Sequence, residues 1–298
     1  MSNVDPIALF DAIDENVRSG TFALKHTLLQ AKAYAARTPS SSSIRRPNTN
    51  LPDGRALAAE STARVAHLLL AAQYEARLAW LIWHPSSRLS EQQRESALRG
   101  GGLAARWKQL LKLALSDRLG RLDPPITLSA ADIPQRLPRE YRRFYFDLVR
   151  VAKNHLDPLI DTRNSLAHGE WRTALTRTAD GFNEPRTGQL GEISLFRVTV
   201  LANLLDHYWK CYFDALVTYE AFERDFRAHH RRMMHASVRL SRADEERWVA
   251  NLRRRFKDGR SSHGGLSYPP EPMPVWSRRQ ARGEDGTLPG TRATTWHG

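Results

Sequence analysis

Segment 161–169, which reads DTRNSLAHG, contains the three residues whose types and spacing best suit catalysis: Arg163, Asn164 and His168. Histidine titrates near neutral pH, so it can take or give a proton. Arginine keeps its charge and binds phosphate oxygens with a planar pair of donors. RNA cleavage without a metal is one reaction that uses both kinds of group. It needs a base to take the proton of the 2′-OH, an acid to protonate the leaving 5′-oxygen, and a cation to stabilise the phosphorane. Asn164 is neutral and can orient the histidine or hydrogen-bond a phosphate.

The Arg-x4-His spacing alone is weak evidence, because it occurs four times in the chain and about once or twice would arise by chance. Only residues 163–168 also have an Asn after the Arg and a Gly after the His. Gly169 can adopt the left-handed conformation that closes a helix, which would place His168 in the last turn or just beyond it. In an ideal helix, residues five apart point about 140° from each other, so the pair need not converge. The structural alternative is a helix C-terminus with a basic last turn, which the helix dipole favours.

One histidine per chain in this segment leaves one proton-transfer role open. A homodimer would supply two copies of His168 and fill both roles. Asp161 could support the site by pairing with Arg163, or it could simply form a surface ion pair. Metal ligation is not expected: His229, His230 and His235 are close in sequence, but no acidic or Cys cluster completes a site there. We therefore expect neither a metal nor a cofactor.

Residues 163–169, RNSLAHG, resemble the signature of the HEPN superfamily (higher eukaryotes and prokaryotes nucleotide-binding). That signature is an Arg, four to six residues often beginning with Asn, and then a His. The resemblance implies a small α-helical bundle. For many members it also implies a metal-independent ribonuclease of toxin–antitoxin, abortive-infection or CRISPR-associated systems, in which two copies pair so that both Arg/His sets line one cleft. It carries Arg163, Asn164 and His168 onto this chain, although the specific match covers only seven residues.

Composition points to a polyanionic partner. The chain has 298 residues, 38 Arg, 7 Lys and a formal net charge of +13, and an excess of Arg favours phosphate binding. Cys211 is the only cysteine, which suits a reducing cytosol. The acidic N-terminus does not resemble a signal peptide. The most apolar stretch, 68–83, is interrupted by Gln73, Glu75 and Arg77 and is too short to span a bilayer. We expect a cytoplasmic protein without a membrane partner.

Apolar periodicity predicts an all-α protein. The expected organisation is a HEPN-like helical domain at 1–226 with a polar loop at 38–55, a basic helical extension at 227–260, and a disordered tail at 261–298. A short hairpin or irregular loop is expected at 170–187, after the Arg-x4-His motif. Long helices are predicted at 139–168, with Pro158 kinking or dividing it, and at 190–226, and a last helix is predicted to be capped by Ser241. Nucleic-acid contacts are predicted at Arg253, Arg254, Arg255 and Lys257.

Three functions fit these observations. The first is an endoribonuclease, plausibly a toxin or anti-phage defence effector, with a composite Arg/His site in a homodimer. It would leave a 2′,3′-cyclic phosphate and a 5′-OH. The second is a non-catalytic helical protein that binds RNA or DNA through segment 224–260. The third is a scaffold whose basic surface meets an acidic partner such as an antitoxin. Loss of RNA cleavage with binding retained in His168→Ala would separate the first from the second.

Overall fold

The chain folds as a bundle of α-helices in the computed structural model, which describes residues 5–37, 54–99, 101–120, 125–176, 181–218, 222–242 and 245–257. Within these ranges there is no β-strand, only an isolated antiparallel bridge between Leu175 and Phe182. The all-α prediction is therefore confirmed. The tail predicted at 261–298 and most of the loop at 38–55 lie outside the described residues. The helices are α1 (Pro6–Arg37), α2 (Gly54–Trp83), α3 (Glu91–Arg99), α4 (Leu103–Leu119), α5 (Arg139–Val151), α6 (Asp157–Ala167), α7 (Glu184–Gly191), α8 (Leu195–Leu216), α9 (Phe222–Arg242) and α10 (Glu245–Lys257).

Helices α1 and α2 form an antiparallel pair that is tied together by buried polar groups. The Gln73 side chain donates to the Val17 carbonyl at 3.0 Å and to the Thr21 hydroxyl at 2.6 Å. Farther along the pair, the Trp80 indole donates to Asp14 at 3.1 Å. Such bonds satisfy polar groups that would otherwise be costly to bury, so they fix the register of the two helices.

An aromatic cluster fills the centre of the bundle. The Trp107 ring of α4 meets Tyr74 of α2 and both Tyr208 and Tyr212 of α8, with ring centroids 4.8–6.2 Å apart. The Tyr212 hydroxyl donates to the Trp107 carbonyl at 3.1 Å. These side chains are fully buried. Aromatic rings bury large apolar areas and pack in tilted or edge-on geometry, so this cluster holds α2, α4 and α8 in fixed positions.

A buried ion pair joins α2 to α8. Arg77 lies 3.4 Å from Asp206, and both side chains are only 2% exposed. Lys210 approaches the other oxygen of Asp206 at 3.0 Å. The Arg77 guanidinium also lies over the Trp209 ring, 4.9 Å from its centroid. The acid and its surrounding cations satisfy one another, which is the condition for burying charge.

The helical stretch that ends at the Arg-x4-His motif is continuous from 139 to 167, as predicted, but it contains a π-helical turn at Ala152–Leu156. Pro158 lies in the first turn of α6, immediately after that turn. Proline has no N–H to donate at this position, and the wider π turn keeps the helix running up to it. Pro158 therefore does not divide the stretch.

The single helix predicted at 190–226 is wrong, because the structure divides it among α7, α8 and α9. Apolar residues on both sides of the turn between α7 and α8 concealed the first of the two breaks. Ser194 caps α8, and its hydroxyl accepts from the Arg197 N–H at 3.2 Å. The cap predicted at Ser241 is also wrong. Ser241 lies inside α9, where its hydroxyl donates to the Val238 carbonyl at 2.9 Å.

The segment predicted as a basic extension packs against the bundle. Helix α9 runs unbroken across position 226/227, and Phe226, Met233 and Ala236 join the same hydrophobic core as the preceding helices. Helix α10 docks on α8, where the Trp248 ring lies 5.6 Å from that of Phe196. Side chains of α9 and α10 thus pack on the same hydrophobic core as the preceding helices.

Candidate active site

The Arg-x4-His motif occupies the C-terminal half of α6 and the residue that closes it. Ala167 is the last helical residue, and the His168 N–H donates to the carbonyls of Asn164 and Ser165 at 3.1 and 3.2 Å. Gly169 follows with φ +86°, a left-handed conformation that side-chain-bearing residues rarely adopt. The prediction that Gly169 ends the helix and leaves His168 just outside it is confirmed.

The Arg163 guanidinium is held on two sides. One terminal nitrogen donates to Glu75 of α2 at 2.6 Å, and the other donates to the Asn164 side-chain oxygen at 3.0 Å. Asn164 therefore orients the arginine rather than the histidine. Among the described residues, no ion pair joins Asp161 to Arg163. Asp161 is exposed instead, and its charge adds to burial in raising the pKa of Asp157.

Glu75 is the site residue that sequence reasoning missed. Its side chain is 42% exposed and that of Arg163 is 30% exposed, so water reaches the pair from one side. The sequence held one signal, because Glu75 is a charged residue inside the apolar stretch 68–83. Its partner lies 88 positions away, and no local pattern could identify it.

His168 projects from the helix end into solvent beside Glu170. The pKa of Glu170 lies below its usual value, mainly because the Leu175 N–H donates to its carboxylate, with a smaller contribution from the charge of His168. His168 makes no side-chain hydrogen bond to Arg163 or Asn164 within the part of the chain that the structure describes. One protomer thus brings Arg163 and Asn164 together and leaves the imidazole free to meet another group.

The loop after the motif leaves apolar side chains at the surface. Arg172 anchors the loop to α2 through Glu60 at 3.4 Å. Trp171, Leu175 and Phe182 are 37%, 41% and 67% exposed. We call these three residues the loop patch. Large apolar groups gathered at the surface mark interaction sites more often than scattered ones do.

The basic residues predicted to bind nucleic acid lie on α10, which packs against α1 and α8. Arg254 and Arg255 are exposed, whereas Arg253 is half-buried. Burial, with a smaller contribution from the charge of Arg255, lowers the pKa of Lys32 of α1 to about 8. For Lys257 the structure gives its place in α10 but no account of its side chain.

Two histidines of α9 lie beside carboxylates of other helices. His229 lies 2.8 Å from Asp214 and His230 lies 3.2 Å from Asp147. In the described ranges no group of three or more His, Cys, Asp or Glu side chains could hold a metal ion. The motif itself offers one imidazole, one amide and one guanidinium, which can transfer a proton and stabilise negative charge.

No helix among the described residues is long and apolar enough to cross a membrane. Comparison of the chain with protein-family models, with curated proteins and with solved structures finds no match.

Proposed function

We propose that this chain is a metal-independent endoribonuclease whose active site combines Arg163, Asn164 and His168 from two copies in a homodimer. The observation that carries the proposal is the end of α6. It presents an exposed imidazole one turn beyond an arginine whose fork is already oriented by two acceptors. The proposal also rests on the resemblance of residues 163–169 to the HEPN signature, which extends it to a toxin or anti-phage defence effector restrained by a partner.

In the proposed reaction, one His168 takes the proton from the 2′-OH, and the resulting oxygen attacks the adjacent phosphorus. The bond to the 5′-oxygen breaks, and the second His168 protonates that oxygen. Arg163 stabilises the negative charge on the phosphorane oxygens. Asn164 acts as a positioning residue, because its side chain already holds one nitrogen of that guanidinium. The products are a 2′,3′-cyclic phosphate and a 5′-OH, and DNA is not a substrate because it lacks the nucleophile.

The loop patch supports the choice of a second copy as the partner at this face. A single protomer supplies only one histidine at the motif, so the reaction lacks one proton-transfer group. Trp171, Leu175 and Phe182 lie in the loop that begins directly after His168. Burying such groups favours association, and a two-fold contact there would bring the two copies of the motif towards each other.

A second function is favoured by the Glu75–Arg163 pair. Because a carboxylate already neutralises Arg163 at 2.6 Å, the arginine can also be understood as a structural link between α2 and α6. The chain would then be a non-catalytic nucleic-acid-binding protein, or a scaffold for an acidic partner, that uses its net charge of +13.

The variant His168→Ala separates the two functions. His168 is exposed and its fold contacts are made by its backbone, so the variant should keep its circular dichroism spectrum. The endoribonuclease proposal predicts that it binds RNA as the wild type does but no longer cleaves it. If wild-type protein leaves RNA intact both with and without EDTA, the non-catalytic function is the correct one.

A further inference from the structure

A cleft of about 620 Å³ opens on a different part of the bundle from the motif. Its lining includes Thr162 but not Arg163, Asn164 or His168. The π turn, α6, α7, α8 and α9 all contribute to its walls. A volume of this size lies within the range of clefts that hold small organic molecules, so the question is which chemistry the lining would accept.

The floor of the cleft is aliphatic. Five side chains from three helices and the turn before α8 supply it: Leu159, Ile193, Val198, Leu201 and Met234. Leu159 and Val198 are 1% exposed and belong to the hydrophobic core, so the floor is fixed by packing. A ligand body that lies here must therefore be apolar.

The π turn forms one wall. A π turn inserts an extra residue into a helix, and such turns are frequent at functional sites. Here it brings Asn154 and His155 to the cleft. The Nε2 atom of His155 lies 3.1 Å from the Ser237 hydroxyl of α9, which joins this wall to the opposite helix.

His67 of α2 lies at the buried end of the cleft. It is only 7% exposed, and its Nε2 atom has no hydrogen-bond partner among the described residues. Burial lowers the pKa of His67 to about 4, so the imidazole is neutral near pH 7. A buried polar atom without a partner is rare in folded proteins. Here it marks the place where a polar group of a ligand would form a hydrogen bond.

Two arginines stand at the open side of the cleft. Arg150 pairs with Asp147 at 2.5 Å and Arg197 pairs with Glu192 at 2.7 Å, and their side chains are 58% and 49% exposed. A guanidinium carries five N–H donors, so each arginine keeps donors for a further acceptor. An anionic group of the ligand would be stabilised here.

We infer that this cleft binds a small amphipathic organic anion. Its apolar body lies on the aliphatic floor, a polar group hydrogen-bonds with His67 Nε2, and its anionic group meets Arg197 and Arg150. The inference does not depend on the proposed ribonuclease activity, because none of the three motif residues lines the cleft.

The test uses two matched fluorescent probes and the full chain. The anion 1-anilinonaphthalene-8-sulfonate carries a phenyl ring, a naphthalene, an N–H and a sulfonate. N-phenyl-1-naphthylamine is the same skeleton without the sulfonate. Fluorescence titration should show one sulfonate probe per chain, bound at least about fivefold more tightly than the neutral probe. Equal affinity of the two probes would overturn the inferred anion site.

Val238→Trp tests the location. Val238 lines the cleft and is 46% exposed, so an indole there can fill the space without disturbing the core. Val65→Trp is the matched control, because Val65 is 37% exposed on α2 and does not line the cleft. We expect Val238→Trp to weaken binding of the sulfonate probe at least about tenfold, with the control within about twofold of wild type. Equal effects of the two variants would place the probe elsewhere and refute the inference.

Arg197→Gln and His67→Phe test the two polar ends. The first should weaken the sulfonate probe at least about fivefold while changing the neutral probe by less than about twofold. The His67 variant should bind both probes more weakly, because both carry the N–H that would donate to this imidazole. Circular dichroism checks that the variant folds. If Arg197→Gln affects both probes alike, the arginine does not meet the anion. RNA cleavage should be unchanged in Val238→Trp whichever probe result is obtained.

Discussion

Replacing Glu75 by Gln should tighten RNA binding, although it removes an ion pair from the folded protein. The Glu75–Arg163 pair joins side chains that are 42% and 30% exposed, and ion pairs of that kind contribute about 0.2–1 kcal/mol to stability. A phosphate that binds Arg163 must displace the Glu75 carboxylate. In the variant this ion pair is absent, so RNA binding no longer loses the free energy of breaking it. The expected result is RNA affinity about 1.5- to 5-fold above wild type, with the free energy of unfolding lowered by at most about 1 kcal/mol.

Glu60→Gln is the matched control. It removes the same charge from the same helix and also breaks contacts with two arginines, Arg172 and the buried Arg64. Fifteen residues of helix separate it from Glu75, which is about 22 Å, more than twice the distance over which 0.15 M salt screens charges. Its effect on a phosphate at Arg163 should therefore be small.

The assay is fluorescence anisotropy at 0.15 M salt with a 2′-O-methyl RNA, which lacks the nucleophilic hydroxyl and cannot be cleaved. The gain from Glu75→Gln should disappear when Arg163→Gln is also present. Equal affinities of the Glu75 and Glu60 variants, or weaker binding by Glu75→Gln, would show that Arg163 does not meet phosphate and serves only to link α2 and α6.

Other substitutions test other parts of the account. Arg163→Lys keeps the charge but loses the two-pronged donor, so cleavage should fall at least about tenfold while the unfolding transition stays unchanged; unchanged cleavage would make Arg163 structural. Phe182→Ser should shift analytical ultracentrifugation towards monomer and reduce cleavage, whereas Phe22→Ser, at a position 64% exposed on α1, should do neither. Neutralising the four predicted basic residues of α10 should weaken RNA binding and flatten its salt dependence. The effect should be larger than that of an equal charge change at exposed arginines elsewhere, such as Arg99, Arg136, Arg139 and Arg143. Equal salt dependence of the two variants would assign RNA binding to net charge alone. Burial lowers the pKa of His84 to about 4. Between this value and the ordinary histidine pKa of about 6.5, His84 is protonated in the unfolded state and neutral in the folded state. The free energy of unfolding should therefore fall as the pH drops below about 6.5, by about 2 kcal/mol between pH 7 and pH 5. Urea unfolding should show this loss reduced in His84→Phe.

The end of α6 could be predicted because its determinants are local. Gly169 with a left-handed φ and His168 just outside the helix follow from one glycine at the end of an apolar-periodic segment. The first turn of α1 is similar, since Asp5 accepts from the Ile7 N–H at 3.1 Å. In both places the residues that decide the structure are neighbours in sequence.

The partners of the polar residues in α2 could not be predicted. Gln73, Glu75 and Arg77 were visible as polar residues in an apolar helix, and each turns out to join α2 to a different helix. Their partners lie 56, 88 and 129 positions away. Pairing over such distances is set by how the helices pack, which no periodicity within one helix contains. The break at 192–194 was missed for a related reason, because an apolar repeat continues through a short capped turn.

End-group analysis of RNA treated with the purified protein in EDTA tests the central claim most directly. The account predicts products with a 2′,3′-cyclic phosphate and a 5′-OH from wild-type protein, none from His168→Ala, and no cleavage of DNA of the same sequence. Products with a 5′-phosphate, equal cleavage of DNA, or activity that EDTA abolishes would contradict it.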